Sequence, residues 1–287
     1  MPGETLDTWK ENFWKLFRLG NHTGVTVFQA QLLENAEMNL LQRRLYKITS
    51  QTVYDYMSGS YNEDELKEGI DIITGTKDMP FEIMLDAEVF SWYVNTFHIN
   101  GISTFISRFL EKYIGVDYGD FYNKLFEYLK QDAWFVKEMS EVREYYRNWM
   151  ADGRISHPNI GSVEIHGWNL IHRTVINIHA EQRYSYVFEL LRKFVQENFE
   201  IPTDIIDELM IFQRNYLIDH SDIPNLPRTI NFKYDILNYL QNDSKLANDS
   251  SYVFDFNEDK SMSLTRFCEN LYFSRRRNFG KAWITKS

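Results

Sequence analysis

The chain has 287 residues, 44% hydrophobic and 16% aromatic, which suffices for a sizeable core in one large domain or two smaller ones and excludes wholesale disorder. A formal net charge of -10 and a pI near 5.3 argue against a chain devoted to nucleic acid or anionic membranes. No apolar run reaches the ~18–20 residues of a membrane span and no leader pattern is visible; the single cysteine, Cys268, excludes an internal disulfide or a self-contained iron–sulfur site, so a soluble cytoplasmic protein is expected.

The chain opens on a turn signal, Pro2-Gly3, that leads directly into a helix. Trp9, Phe13, Leu16 and Phe17 recur on one helical face; Thr5 or Thr8 suits the cap, Thr8 with Glu11 fits the capping-box spacing, and Gly20 fits a left-handed stop. After a short polar loop, Asn21–Gly24, the run GVTVFQAQLL reads as a buried strand. Turn, helix, loop and strand are the second half of a βαβ unit, and a parallel strand needs a neighbour. Either Val25–Leu33 pairs with a distant segment, or the chain begins inside a larger domain.

From Leu40 to about Leu226 the pattern is mostly helical. FEIMLDAEVFSWYVNTF carries a broad apolar stripe, STFISRFLEKYI follows the Asn100-Gly101 turn, and DFYNKLFEYLK and WFVKEMSEVREYYRNWM flank a break at Gln131-Asp132. HPNIGSVEIHGWN is loop-like, TVINIHAEQRYSYVFELLRKFVQENF reads as one long helix, and Pro202 starts another. SDIPNLPRT is a linker. INFKYDILNYL and SYVFDF suggest short strands whose spacing allows a hairpin, and SLTRFCENLYFSRRR is a last helix in which Cys268, spaced with Leu264 and Leu271, belongs to the core.

Pro2-Gly3-Glu4-Thr5, the amphipathic helix and a strand ending in Gln29-Ala30-Gln31-Leu32-Leu33-Glu34-Asn35-Ala36-Glu37 resemble the last part of a radical SAM barrel. In many members of that family a strand ending Gly-Leu-Pro-Gly-Glu-Thr is the fifth of six in a partial barrel; here Met1 stands where Leu is usual. EVFSWYVNTFHINGISTFISRFL, YYRNWM, HPNIGSVEIHGWNLIH and FSRRRNFGKAWITK are similar to the C-terminal region of B12-binding radical SAM proteins, so the resemblance runs over essentially the whole chain. It implies a mostly α fold: residues 1–40 as the last helix and strand of a partial TIM-type barrel, 41–226 as a helical domain, and 227–287 as an extension with a hairpin and a final helix. It also implies SAM, a [4Fe–4S] cluster and, in this branch, cobalamin in the parent enzyme. The chain departs from the family in lacking the three cysteines, spaced C-x3-C-x2-C, whose thiolates hold the cluster. No cofactor is therefore expected on this chain alone. The N-terminal cobalamin-binding and barrel portions, or a separate chain supplying them, are its expected partners.

The resemblance places Gly3, Glu4, Thr5, Gln29 and Gln31 on the rim of the SAM cavity, since ligands of such sheets gather at the carboxyl ends of strands. Glu34, His98, His166 and Arg276 are candidates for the substrate pocket. The bland readings are a solvated strand end for Glu34 and a cap for His98, held as a cation by the helix dipole. His166, His172 and His179 lie near Glu164, but His172 and His179 are two turns apart, too far for one metal, so structural histidines are favoured and no metal site is assigned. Arg275–Arg277 among Tyr272, Phe273, Phe279 and Trp283 suit phosphates and bases, yet on an acidic chain they suit pairing with the protein body better. The functional expectation is a C-terminal part of a radical SAM enzyme, inactive alone, whose helical body covers the barrel mouth. The alternative is a non-catalytic helical module that docks on a partner through its N-terminal strand.

Overall fold

The structure, a computed structural model, describes residues 3–25, 27–54, 69–153, 163, 170–242, 245–273 and 279–287. Helix α1 is Leu6–Arg18. Thr5 is its N-cap and exchanges bonds with Thr8, so the capping box forms three residues before the Thr8–Glu11 pair that the spacing also allowed. Gly20, at φ +85°, ends it as expected. The buried face carries Phe13, Trp14 and Phe17.

A π-helical turn, Met38–Gln42, runs into a single short turn, α2 (Arg43–Leu45). Strands β1 (Thr49–Tyr54) and β2 (Gly69–Gly75) then pair antiparallel, within a stretch the sequence pattern reads as mostly helical and without a strand assigned to it. Their β-branched runs are too short for a helical face: Val53 enters the core from β1, and β2 is buried on both faces from Ile72 to Gly75. The expected strand Val25–Leu33 is extended but is tied by a single antiparallel bridge, Gln31 to Ile72, with bonds from Leu32 N to Asp71 O (2.7 Å) and from Ile73 N to Ala30 O (2.9 Å). It is not a buried strand: Leu32 enters the core, while Phe28 and Leu33 are 63% and 60% exposed.

Helix α3 (Phe81–Val94) is the centre of the molecule. Every side chain from Ala87 to Val94 is buried, so it is apolar on all sides except at a few positions that become important below. It continues as a π-helical turn, Asn95–Ile99. Helix α1 packs on it through Phe13 against Phe90, and Trp14 stacks on Tyr122 at 5.6 Å. Helices α4 (Thr104–Ile114), α5 (Tyr118–Leu129) and α6 (Ala133–Asp152) follow, the last two capped by Asp117 and Asp132 and α6 ended by left-handed Gly153.

The long helix read over residues 174–199 is two helices, α7 (Arg173–Ala180) and α8 (Tyr184–Asn198). The break is a left-handed Gln182, φ +55°, with Arg183 N bonding back to Ile178 O. Helix α9 (Thr203–Tyr216) begins after Pro202 as expected. The expected hairpin is present as β3 (Arg228–Tyr234) and β4 (Asn248–Asp255), but DILNYL is a short helix, α10 (Ile236–Gln241), because Asp235 caps it through Asn238 N. Helix α11 (Leu264–Phe273) buries Cys268, and β5 (Trp283–Lys286) joins β4 as an unforeseen third strand. One core cluster runs from Phe13 to Phe254, and a second gathers Val163, Phe256, Phe267 and Cys268.

Candidate functional site

Within the apolar α3, Glu88, Ser91 and Asn95 fall at i, i+3 and i+7 and form one polar stripe that continues into the π turn at Asn95–Ile99. Buried polar groups need partners, and these find them on α1 and on the extended segment after it. Trp9 Nε1 donates to Ser91 Oγ (3.0 Å) and Gln29 Nε2 donates to Glu88 Oε2 (2.9 Å). Two cavities lie along the stripe. A small one of about 20 Å³, with room for little more than one water, is lined by Val27, Gln29, Glu88, Ser91 and Trp92 among others. A larger one of about 130 Å³ is lined by Thr23–Val25, Asn95, Ile99, Asn100, His172, Phe279 and Lys281 among others.

No cation among the described residues pairs with Glu88. Burial raises its pKa from 4.5 to about 7, against a smaller lowering by the Gln29 hydrogen bond, so near neutrality it can hold or release a proton.

Lys281 is brought to the larger cavity from the far end of the chain. The C-terminal segment lies along the end of α9, with Ile218 N bonding to Gly280 O (2.9 Å) and Ala282 N to Tyr216 O (2.7 Å). Gly101 makes room for it: at φ +99° a Cβ there would stand 3.2 Å from Lys281 Cε and 3.3 Å from Tyr216. Lys281 is 9% exposed, and its ammonium donates to Ile99 O (2.9 Å). No carboxylate among the described residues pairs with it, and burial lowers its pKa to about 8. His172, set by a 3-10 turn at Leu170–His172, has no hydrogen-bond partner among the described residues. Burial and then the Lys281 charge lower its pKa to about 4, so the imidazole is neutral. Asn95 and Asn100 each commit Nδ2 to a backbone carbonyl, of Ser91 and Ile171, which leaves each Oδ1 as the acceptor it can offer.

Behind this cavity runs a buried polar chain. His98 Nε2 meets His22 Nδ1 (3.0 Å), His98 Nδ1 meets Tyr122 Oη (2.5 Å), and Tyr122 reaches Ser107 Oγ (3.1 Å). A consistent assignment has Tyr122 donating to His98 Nδ1, and His98 Nε2–H donating to His22 Nδ1. The ring of His98 stacks on Phe17 at 3.7 Å. Burial, then the neighbouring His22, Arg108 and Lys281 charges, push its pKa well below the ordinary value. The expected dipole-stabilised cation is therefore a neutral imidazole: full burial outweighs a helix end worth at most ~2 kcal/mol.

Of the residues named from the sequence, Gln29 lines the small cavity. Gln31 forms the bridge to β2, and Glu34 is exposed. Gly3 is exposed at φ +80°, Glu4 accepts from Asn12 Nδ2 (2.7 Å), and the Thr5 hydroxyl is engaged in the cap. His98 belongs to the chain behind the larger cavity. Pro2, Glu164, His166 and Arg275–Arg277, including Arg276, lie outside the described residues. His172 and His179 do not meet: His179 packs between Tyr184 and Phe267, 4.0 Å from Asp219. Among the described residues no three His, Cys, Asp or Glu side chains gather as a metal site. Glu88, Asn95 and Lys281 were not singled out. For the first two the readable signal was only their spacing with Ser91 on one face, since Glu82 and Asp86 lie in the same helix. A lone lysine in a tail gave none.

No family model matches the chain. It is similar to the cobalamin-dependent radical SAM methyltransferase TokK of Streptomyces tokunonensis, 24% identical over 129 residues. The match takes in 45% of this chain and 19% of that protein, so the chain spans about a fifth of the length of the curated relative it matches. This distant similarity points toward the same class of enzyme as the resemblance carried by the sequence motifs.

Proposed function

We propose that this chain acts as a helical, substrate-facing part of a cobalamin-dependent radical SAM methyltransferase, docked on a barrel that supplies the cluster, SAM and cobalamin. The similarity to the methyltransferase suggests the class. The observation that carries the docking is where apolar side chains are left uncovered. Among the described residues, seven of the twelve exposed large hydrophobics lie between Leu19 and Tyr54: Leu19, Phe28, Leu33, Leu40, Leu41, Leu45 and Tyr54. Grouped exposure of this kind marks an interaction surface, and four of the seven, Leu19, Phe28, Leu33 and Leu40, fall within residues 1–40, the segment that resembles the end of a barrel.

The cluster does not fit this chain. The one cysteine, Cys268, is fully buried and burial raises its thiol to about 12, so three thiolates must come from elsewhere. The chain's own contribution is binding and proton placement: Lys281, His172 and the two asparagines present polar groups to the larger cavity, and Glu88 holds a proton beside the smaller one.

The test begins with the coding sequence upstream of Met1 and the adjacent gene, read for C-x3-C-x2-C. The segment that bears the motif is then produced anaerobically with and without this chain. Co-purification, with reductive SAM cleavage in the complex and a colourless chain when alone, is the expected result. Leu40→Lys with Leu41→Lys should weaken co-purification at least about tenfold. A brown chain alone with near-stoichiometric iron and sulfide, or no such motif in either place, overturns the proposal. Co-purification with a partner lacking the motif would favour the non-catalytic docking module.

A further inference from the structure

The cavity between the π turn at Asn95–Ile99 and the C-terminal segment holds a buried ammonium that no carboxylate among the described residues pairs with. We propose that it is a binding site for a small organic acid, whose carboxylate is held by Lys281 and whose neighbouring hydroxyl or amino group donates to Asn95 or Asn100. This inference concerns the chain by itself and does not depend on the docking proposed above.

Four observations converge. First, Lys281 is 9% exposed and makes one hydrogen bond among the described residues, to Ile99 O, so two ammonium protons are open to a ligand. A buried cation with no ion pair among the described residues is costly unless an anion completes it. Second, the position is constructed: it depends on the chain pairing at Leu217 and Lys281 and on a glycine at 101, where any side chain would press on the lysine stem. Third, the neutral His172 imidazole and the Asn95 and Asn100 carbonyl oxygens line the same space without protein partners that use them up. They suit a hydroxyl or amino group beside the carboxylate. Fourth, the space, about 130 Å³, is close to that of a cavity known to take benzene, so a ligand or ligand end of about six heavy atoms fits. The charge balance separates carboxylate from phosphate. One ammonium matches a single negative charge, whereas a doubly charged phosphate calls for several donors or an arginine fork.

The test uses the full chain titrated with sodium glycolate, sodium acetate and inorganic phosphate at matched ionic strength. Binding is read by calorimetry and by the side-chain NMR signal of Lys281 in chain labelled with 13C- and 15N-lysine. The expected result is saturable glycolate binding that shifts the Lys281 signal, weaker acetate binding, and weaker phosphate binding. Lys281→Met should weaken glycolate at least about tenfold with an unchanged circular dichroism spectrum. A second readout covers a variant that fails to fold: glycolate should protect Lys281 of the unaltered chain from acylation, measured by mass spectrometry, while the exposed lysines stay reactive. No saturable shift and no protection overturns the proposal. So does phosphate binding more tightly than glycolate, or a folded Lys281→Met chain that binds glycolate as well as the parent.

Discussion

Replacing Glu88 by Gln tests whether α3 keeps a protonated carboxyl in its core. Glu88 is buried, accepts from Gln29 Nε2 at 2.9 Å, and has its pKa raised from 4.5 to about 7, by burial first. Below the unfolded value both states are protonated and the group is neutral toward stability. As pH rises from 4.5 to 7 the unfolded chain ionises while the folded one stays protonated, so stability falls; above 7 both are ionised and the loss is complete. A shift of this size corresponds to ~3 kcal/mol of stability present in mild acid and absent at pH 8. Glu88→Gln keeps the shape and an acceptor for Gln29 but cannot ionise. The variant should match the parent near pH 4.5 and exceed it at pH 8 by up to ~3 kcal/mol. Urea unfolding of both proteins at half-unit pH steps measures the difference, in which titrations common to both cancel. Parallel stability curves across that range would show that Glu88 ionises freely in the fold, and the reasoning would fail.

Substitutions at two further positions probe the frame around the cavities. Gly153 ends α6 at φ +66°, and a Cβ there would stand 2.2 Å from Thr52 O, so Gly153→Ala should cost about 2 kcal/mol or more in urea unfolding. Unchanged stability would mean that α6 does not press on β1 there. Glu138 is buried and accepts from Thr174 Oγ1 (2.9 Å) and Asn177 Nδ2 (2.8 Å), with Arg173 at 3.5 Å. Glu138→Ala should therefore lower stability by ~3 kcal/mol, and Glu138→Gln, which keeps one acceptor, by clearly less. Equal losses would refute the role of the carboxylate as shared acceptor.

Local rules reached some elements and not others. The start and stop of α1, the central apolar helix, the turn at Asn100-Gly101, the break at Asp132 and the hairpin partners β3 and β4 follow from caps, periodicity and turn residues. These act within a few residues and leave a mark at the place where they act. The split of the 174–199 helix does not, since nothing in His179–Arg183 forbids helix. The break follows from the packing of α7 and α8, which forces Gln182 into a left-handed turn. The β1–β2 hairpin was missed because its short apolar runs fit either period, and the pairing that decides between them is between strands.

The same division holds for the site. The sequence by itself determined that this chain cannot hold a three-thiolate cluster, that it is mostly helical around an aromatic core, and that its first forty residues resemble the end of a barrel, because composition and local spacing are properties of the string. It also contained Glu88, Ser91 and Asn95 at i, i+3 and i+7 along a largely apolar stretch. Only the tertiary structure set Lys281 beside Ile99, residues 182 positions apart, and gave the lysine a cavity, a glycine for clearance and no counter-ion among the described residues. It also turned His98 from a helix-end cation into a neutral member of a buried chain. The physical reason is the same in both cases: burial and charge neighbourhood set the chemistry of an ionisable group, and both are made by segments that meet only when the chain folds.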